Sequence, residues 1–315
     1  MILEMLLKIG SIFLIVAIGY IASKFRMIPE NSTGVLSKIL FNVVTPSTIF
    51  ITMQGQVFEG QLVQDTIWSF LSFTGMTLLI GGISFLIMKP FPVAQRDQGI
   101  YRIQLAFTNI GFMGIPLATA VFGDLAGLLI LLMNIPFIVL LYSFGVVLML
   151  YQKGGRVLNR ELLRRMVNIP LVSSLLGVVM LAGGIQLPEI LFSGFSMISD
   201  TMVPVGMLIV GIQLSKTSLA GIFTKENLWL CLWSLVLLPL LTIGVCVFLP
   251  QSDIVTATLV FAVAMPSGTL CTVLAEEFHQ NTLLASETLA LTTLLSLVTL
   301  PVWAAVLTHC YTLSV

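Results

Sequence analysis

Two short stretches carry the residue types that could do chemistry in an otherwise apolar chain. They are Thr108-Asn109-Ile110-Gly111-Phe112-Met113-Gly114-Ile115-Pro116 and Met265-Pro266-Ser267-Gly268-Thr269. The first lies inside an apolar segment of about 100–122, the second inside one of about 254–275. A lipid-facing helix has no use for an amide, two glycines and a proline in so short a stretch. Proline lacks an N–H and clashes with the carbonyl four residues back, so it frees at least one backbone group. In hydrocarbon a freed group costs several kcal/mol unless it faces protein or a wet cavity. Paired, interrupted helices in corresponding halves of a membrane chain point to a transporter's binding site.

If the two segments break near mid-membrane and cross, four half-helices meet there. The ends that begin after Pro116 and around Ser267 would carry unpaired N–H groups and about +0.5 of an elementary charge. That makes an anion-attracting centre without a basic side chain. Asn109 adds an amide that donates to a carboxylate or accepts from a hydroxyl. Ser267 and Thr269 add hydroxyls, while Gly111, Gly114 and Gly268 let backbone approach a ligand. Neutral donors and dipoles suit a substrate that must be bound and then released. Asn42, Thr45 and Asn134 are further polar candidates for the same site, with Pro46 and Pro204 as additional helix breaks. Asn134 also reads as an interhelical hydrogen-bonding group. Asp200 has two readings: an intramembrane carboxylate coupling transport to protons, or a helix cap at the outer interface. Glu276, Glu277 and His279 read as a solvated loop; Gln213 and Tyr142 are polar additions without a distinct role.

The elements that must position these groups follow from composition. The chain has 315 residues, 57% hydrophobic and 9% charged, with a mean hydropathy of +1.08. A soluble domain carries about 25% charge, so an all-α polytopic membrane protein is expected. A spanning helix needs about 20 apolar residues. On that basis ten segments are predicted, at about 2–22, 33–53, 66–88, 98–121, 126–149, 168–187, 190–213, 228–249, 254–275 and 283–308. The first is expected to be a retained helix rather than a signal peptide. Placing its end in the cytoplasm and alternating puts every Lys and Arg except Lys8 on the inner side. This is the positive-inside bias, and both termini are then outside.

Ten helices with a basic linker after the fifth divide into two halves, 1–150 and 168–315, joined by 151–167. Five is odd, so the halves enter the membrane from opposite sides and would be inverted repeats. The internal evidence is positional: segments two and four of the first half and seven and nine of the second are the interrupted ones. Cys231, Cys246, Cys271 and Cys310 have no metal-like or CxxC spacing, so no metal or other cofactor is expected. There is no GxSxG, P-loop, HExxH or acidic metal cluster, and the histidines are only His279 and His309, both near segment ends. An enzyme and an ATP-driven pump are therefore not expected; secondary transport or facilitated diffusion is, with no nucleic-acid partner.

At Asn109-Ile-Gly-Phe-Met-Gly-Ile-Pro116, Ala264-Met-Pro-Ser-Gly-Thr269 and Val273-Leu-Ala-Glu276 the chain resembles the auxin efflux carrier family. That family takes in plant auxin carriers and bacterial permeases for malate or malonate. The resemblance implies two inverted five-helix repeats, a scaffold domain, and a transport domain whose helices four and nine cross at prolines, here Pro116 and Pro266. It also implies carriage of organic anions, by an elevator-like motion, with Asn109 as the substrate-binding amide. The short linker fits a bacterial-type permease of the cell membrane, with a homodimer through the scaffold. Sodium symporters of the bile-acid type resemble this fold more distantly, and sodium coupling is the alternative to proton coupling.

Overall fold

In the computed structural model, residues 2–29, 32–54, 60–90, 93–151, 169–216 and 222–311 are described. Long runs of Leu, Ile, Val and Ala with few charges fold as helices, because only a helix satisfies its own backbone in hydrocarbon. In chain order they are α1 (Ile2–Lys24), α2 (Ser32–Met53), α3 (Gln61–Ile87), α4 (Gln95–Ala106), α5 (Ile110–Phe122) and α6 (Asp124–Leu150). After these come α7 (Ile169–Ala182), α8 (Glu189–Ser199), α9 (Met202–Lys216) and α10 (Lys225–Cys246). The last are α11 (Asp253–Ala264), α12 (Thr269–Glu277) and α13 (Thr282–Cys310). Among the described residues, six stretches are long and apolar enough to cross a membrane: α2, α3, α6, α8 with α9 (Glu189–Lys216), α10 and α13. Except for Tyr151, the predicted basic linker at 151–167 lies outside the described residues.

Prolines shape these helices in a way that local reading misplaced. Pro46 and Pro116, both predicted as breaks, each follow a widened turn, at Leu40–Val44 and Ile110–Gly114. In each turn an N–H reaches back five residues, from Thr45 to the Leu40 carbonyl and from Ile115 to the Ile110 carbonyl. The widening moves aside the carbonyl that the pyrrolidine ring would strike. Both prolines then stand in the first turn of the helix that continues, where a missing N–H costs no bond. Pro204 likewise lies in the first turn of α9; the chain is interrupted before it, at Asp200 and Thr201.

Segment six ends earlier than predicted. Gly184 adopts φ 61°, Ile185 N–H donates to the Met180 carbonyl at 2.9 Å and Gly184 N–H to that of Leu181 at 3.3 Å. These are the two bonds of a glycine-terminated helix end. The extended residues that follow are held by Gln54 at the end of α2. Its amide donates to the Ile185 carbonyl at 3.3 Å and accepts from Leu187 N–H at 3.0 Å.

Small residues let α1 and α9 pack closely. A Cβ on Gly211 of α9 would lie 2.1 Å from the Val16 carbonyl oxygen, and one on Gly19 of α1 would lie 2.6 Å from that of Leu208. Glycines facing a neighbour's backbone let helices approach where lipid supplies no hydrophobic drive. Around the centre, Phe107 and Phe137 meet edge-on with centroids 5.7 Å apart, and Phe122 and Phe261 do so at 5.0 Å. The second pair ties α5 to α11.

Candidate functional site

The two chemistry-bearing stretches come together as a crossing. Helix α4 stops at Ala106 and α11 at Ala264; the residues after each are extended, and Thr108 and Ser267 form an antiparallel bridge. Asn109 N–H donates to the Pro266 carbonyl at 2.7 Å and Gly268 N–H to the Phe107 carbonyl at 2.8 Å. The two hydroxyls work reciprocally. Thr108 Oγ1 donates to the Ala262 carbonyl at 2.7 Å, near the end of α11, and Ser267 Oγ to the Gln104 carbonyl at 3.2 Å, near the end of α4. Each interruption thus supplies a donor to a carbonyl near the end of the other's helix, and the Ala262 carbonyl also accepts from Met265 N–H at 3.4 Å. Gly268 is required here because a Cβ would lie 2.9 Å from the Phe107 oxygen and 3.2 Å from that of Thr108. The crossing therefore falls at Thr108 and Ser267. The second half of segment four begins at Ile110, not after Pro116 as the sequence suggested.

Asn109 caps α5: its Oδ1 accepts from Phe112 N–H at 3.3 Å. Its Nδ2 donates to Thr269 Oγ1 at 3.4 Å, and Thr269 Oγ1 donates in turn to Gln213 Oε1 at 3.4 Å. All three distances are at the long end for hydrogen bonds, so these contacts are weak ones. Beside them lies a cavity of about 30 Å³, room for about two waters. Of the predicted site residues, Asn109, Gly111, Thr45, Asn134, Gly268 and Thr269 line it. Asn134 makes a long 3.4 Å bond to the Ile130 carbonyl. The first turns of α5 and α12 both form its wall, so two positive helix ends converge on it. Among the described residues no charged side chain lines it.

The other predicted residues stand elsewhere. Pro266 and Ser267 build the crossing behind the cavity, and Pro116 and Gly114 are buried within α5. Asn42 is exposed on the widened turn of α2. Asp200 is exposed at the interruption between α8 and α9. Sequence reasoning missed the apolar wall of the cavity, notably Phe41, Ile49, Phe137 and Leu171. Nothing local separates such residues from lipid-facing ones. It also gave no role to Gln213, now bonded to Thr269, or to Gln104. The Gln104 side chain is fully buried, with Nε2 on the Ala285 carbonyl at 2.9 Å and Oε1 lacking a partner.

A family profile described as "Membrane transport protein" matches residues 4–304. The chain is 27% identical over 298 residues to an "Uncharacterized transporter" of Methanothermobacter thermautotrophicus, covering 94% of this chain and 96% of the relative. It is 22% identical over 304 residues to another, MJ1031 of Methanocaldococcus jannaschii, with the same coverage. To the "Uncharacterized transporter YfdV" of Escherichia coli it is 21% identical over 303 residues, covering 93% of this chain and 94% of that protein.

Proposed function

Because the chain belongs to the membrane transport protein family, that of the auxin efflux carriers, we propose that it carries small organic anions, mono- or dicarboxylates, across the cell membrane by secondary transport. The observation that carries this reading is the convergence of two helix N-terminal ends, Asn109 Nδ2 and Thr269 Oγ1 on one cavity that no charged side chain lines among the described residues. Oriented dipoles and neutral donors attract a carboxylate and hold it less firmly than a buried ion pair would.

In this reading the chain forms ten spans in two inverted repeats, 1–150 and 168–315, with both termini outside. Segments three to five and eight to ten travel as the transport domain against a scaffold through which two copies pair. The small volume of the cavity supports such a motion. A carboxylate-bearing molecule needs more room than about 30 Å³, so α2 and α7 must separate from α5 and α12 to admit it. Asp200 is the candidate proton carrier. One observation favours the sodium-coupled alternative: Gln104 Oε1 is a buried, unpartnered oxygen on the residue whose backbone carbonyl accepts from Ser267. Uptake that vanishes when choline replaces sodium would establish that alternative.

The test is a thermal-stability screen of purified protein against organic anions and neutral solutes, wild type beside Asn109→Ala. A ligand that binds only the folded state stabilises it by RT ln(1 + [L]/Kd). Stabilisation by a carboxylate class, lost in the variant, is the expected result. Stabilisation by neutral solutes alone would overturn the reading.

A further inference from the structure

Helix α9 lies along both half-helices of the crossing. Gly206 and Gln213 stand two turns apart on α9 and so share a face. A Cβ on Gly206 would lie 2.9 Å from the Phe112 carbonyl oxygen, in the first turn of α5. The half-buried Gln213 reaches the first turn of α12, where its Oε1 accepts from Thr269 Oγ1 at 3.4 Å.

A hydroxyl has one proton and two lone pairs. Thr269 gives its proton to Gln213 and accepts one of the two protons on Asn109 Nδ2. Towards a ligand Thr269 therefore offers a lone pair and not a donor. A carboxylate only accepts, so it gains Thr269 as a donor when the hydroxyl turns away from Gln213. The second Nδ2 proton of Asn109 completes the pair.

The bond that such a ligand breaks also joins two groups of helices. Ser199 of α8 donates to Thr48 of α2 at 3.1 Å, and Ser215 of α9 to Ser23 of α1 at 2.6 Å. In the other group Trp229 of α10 donates to the Ile87 carbonyl of α3 at 2.8 Å. Ser252, at the start of α11, donates to Asp65 of α3 at 2.7 Å. The Gln213 bond runs from the first group to the second. A motion that parts α2 and α7 from α5 and α12, with α9 in the first group, must break it.

We propose that Gln213 is a positioning residue: it keeps the Thr269 proton while the site is empty, and α9 lets go of α12 when a carboxylate takes that proton. This rests on the transport reading above and adds to it the contact by which a filled site differs from an empty one. Gln213 also weakens carboxylate binding by the worth of its own bond, which helps release.

The first measurement needs no ligand. Ser174→Cys, which places a thiol on the α7 wall of the crossing cavity, is made in a Cys310→Ser background, because Cys310 is exposed and Cys231, Cys246 and Cys271 are buried. Labelling by methyl methanethiosulfonate then reports how often the two groups part, with the Cys310→Ser protein alone as background. Gln213→Met is expected to speed labelling about two- to fivefold, the worth of one weak neutral hydrogen bond. Gln213→Glu keeps the acceptor and is expected to label as slowly as the parent. In a Thr269→Val background Gln213→Met is expected to change nothing, since the bond is already gone. Labelling unchanged by Gln213→Met overturns the proposal. So does an equal acceleration in the Thr269→Val background, which a purely packing role would give. The second measurement is affinity for malonate and benzoate by thermal shift. Gln213→Met is expected to tighten binding by the same factor, again only with Thr269 present. Carboxylates bound through Asn109 with an affinity indifferent to Gln213→Met overturn the proposal and leave the transport reading standing. Coupled labelling with neither carboxylate bound overturns the carboxylate reading and the release step, and leaves Gln213 and Thr269 as a latch.

Discussion

Asn109 does two separable things, and two substitutions tell them apart. Its Oδ1 caps α5 at Phe112 N–H, and its Nδ2 is the donor turned to Thr269 beside the cavity. Asn109→Ala loses both. Loss of an N-cap costs about 1 kcal/mol, which lowers the melting temperature of a chain this long by roughly 2 °C. Loss of a hydrogen bond to a charged ligand costs roughly 1.5–3 kcal/mol, so carboxylate affinity falls about 10- to 150-fold. Asn109→Asp keeps the same shape and the capping oxygen, and the positive end of α5 favours its charge. It replaces the donor with a group that repels an anion. The assay is melting of detergent-purified protein, with and without a titrated carboxylate such as malonate, followed by uptake into proteoliposomes. Alanine is expected to melt slightly lower and to lose binding. Aspartate is expected to keep the wild-type melting temperature without ligand and to lose binding as well. Carboxylate binding by the aspartate variant at wild-type affinity would refute the assignment of the amide as donor. An alanine variant that melts like wild type would refute the cap.

Three further substitutions, with a fourth as control, test the packing and the coupling. Gly268→Ala is expected to disrupt the crossing, because its Cβ would press on backbone oxygens at 2.9 and 3.2 Å; undiminished uptake and an unchanged melt would contradict that close approach. Gly211→Leu is expected to force α1 from α9 and to reduce the yield of folded protein, since its Cβ would fall 2.1 Å from the Val16 oxygen. Gly244→Leu, with nothing within 4 Å, serves as its neutral control, and equal yields of the two would count against the packing argument. Asp200→Asn is expected to flatten the pH dependence of uptake if the coupled proton rides there, and an unaltered profile would leave Asp200 as the residue that ends α8.

Much was legible because membrane physics constrains a chain so strongly. Only 9% charge among long apolar runs leaves helices as the means of satisfying the backbone, and the helical fold follows. Asn, Gly and Pro clustered inside such runs cannot serve a plain lipid-facing helix, so the two unusual stretches identified themselves, and family membership follows from their pattern along the chain. Where the helices stop was not legible. Pro116 looked like the break, yet proline only removes a donor, and a widened turn before it spares the clash. The true interruption, at Phe107–Asn109, is fixed by bonds to Pro266, Gly268 and Ala262, more than 150 positions away in the chain. Ser267 looked like a ligand group and instead holds the Gln104 carbonyl. Asn42 was a polar candidate for the site and is exposed, because one face of a helix is indistinguishable from another until its neighbours are placed. What the sequence determined by itself was the class of solvent, the kind of element and the two places where the backbone must leave a helix. What only the tertiary structure decided was which groups those places spend on each other and which they leave for a ligand, since that allocation is made by contacts between distant segments.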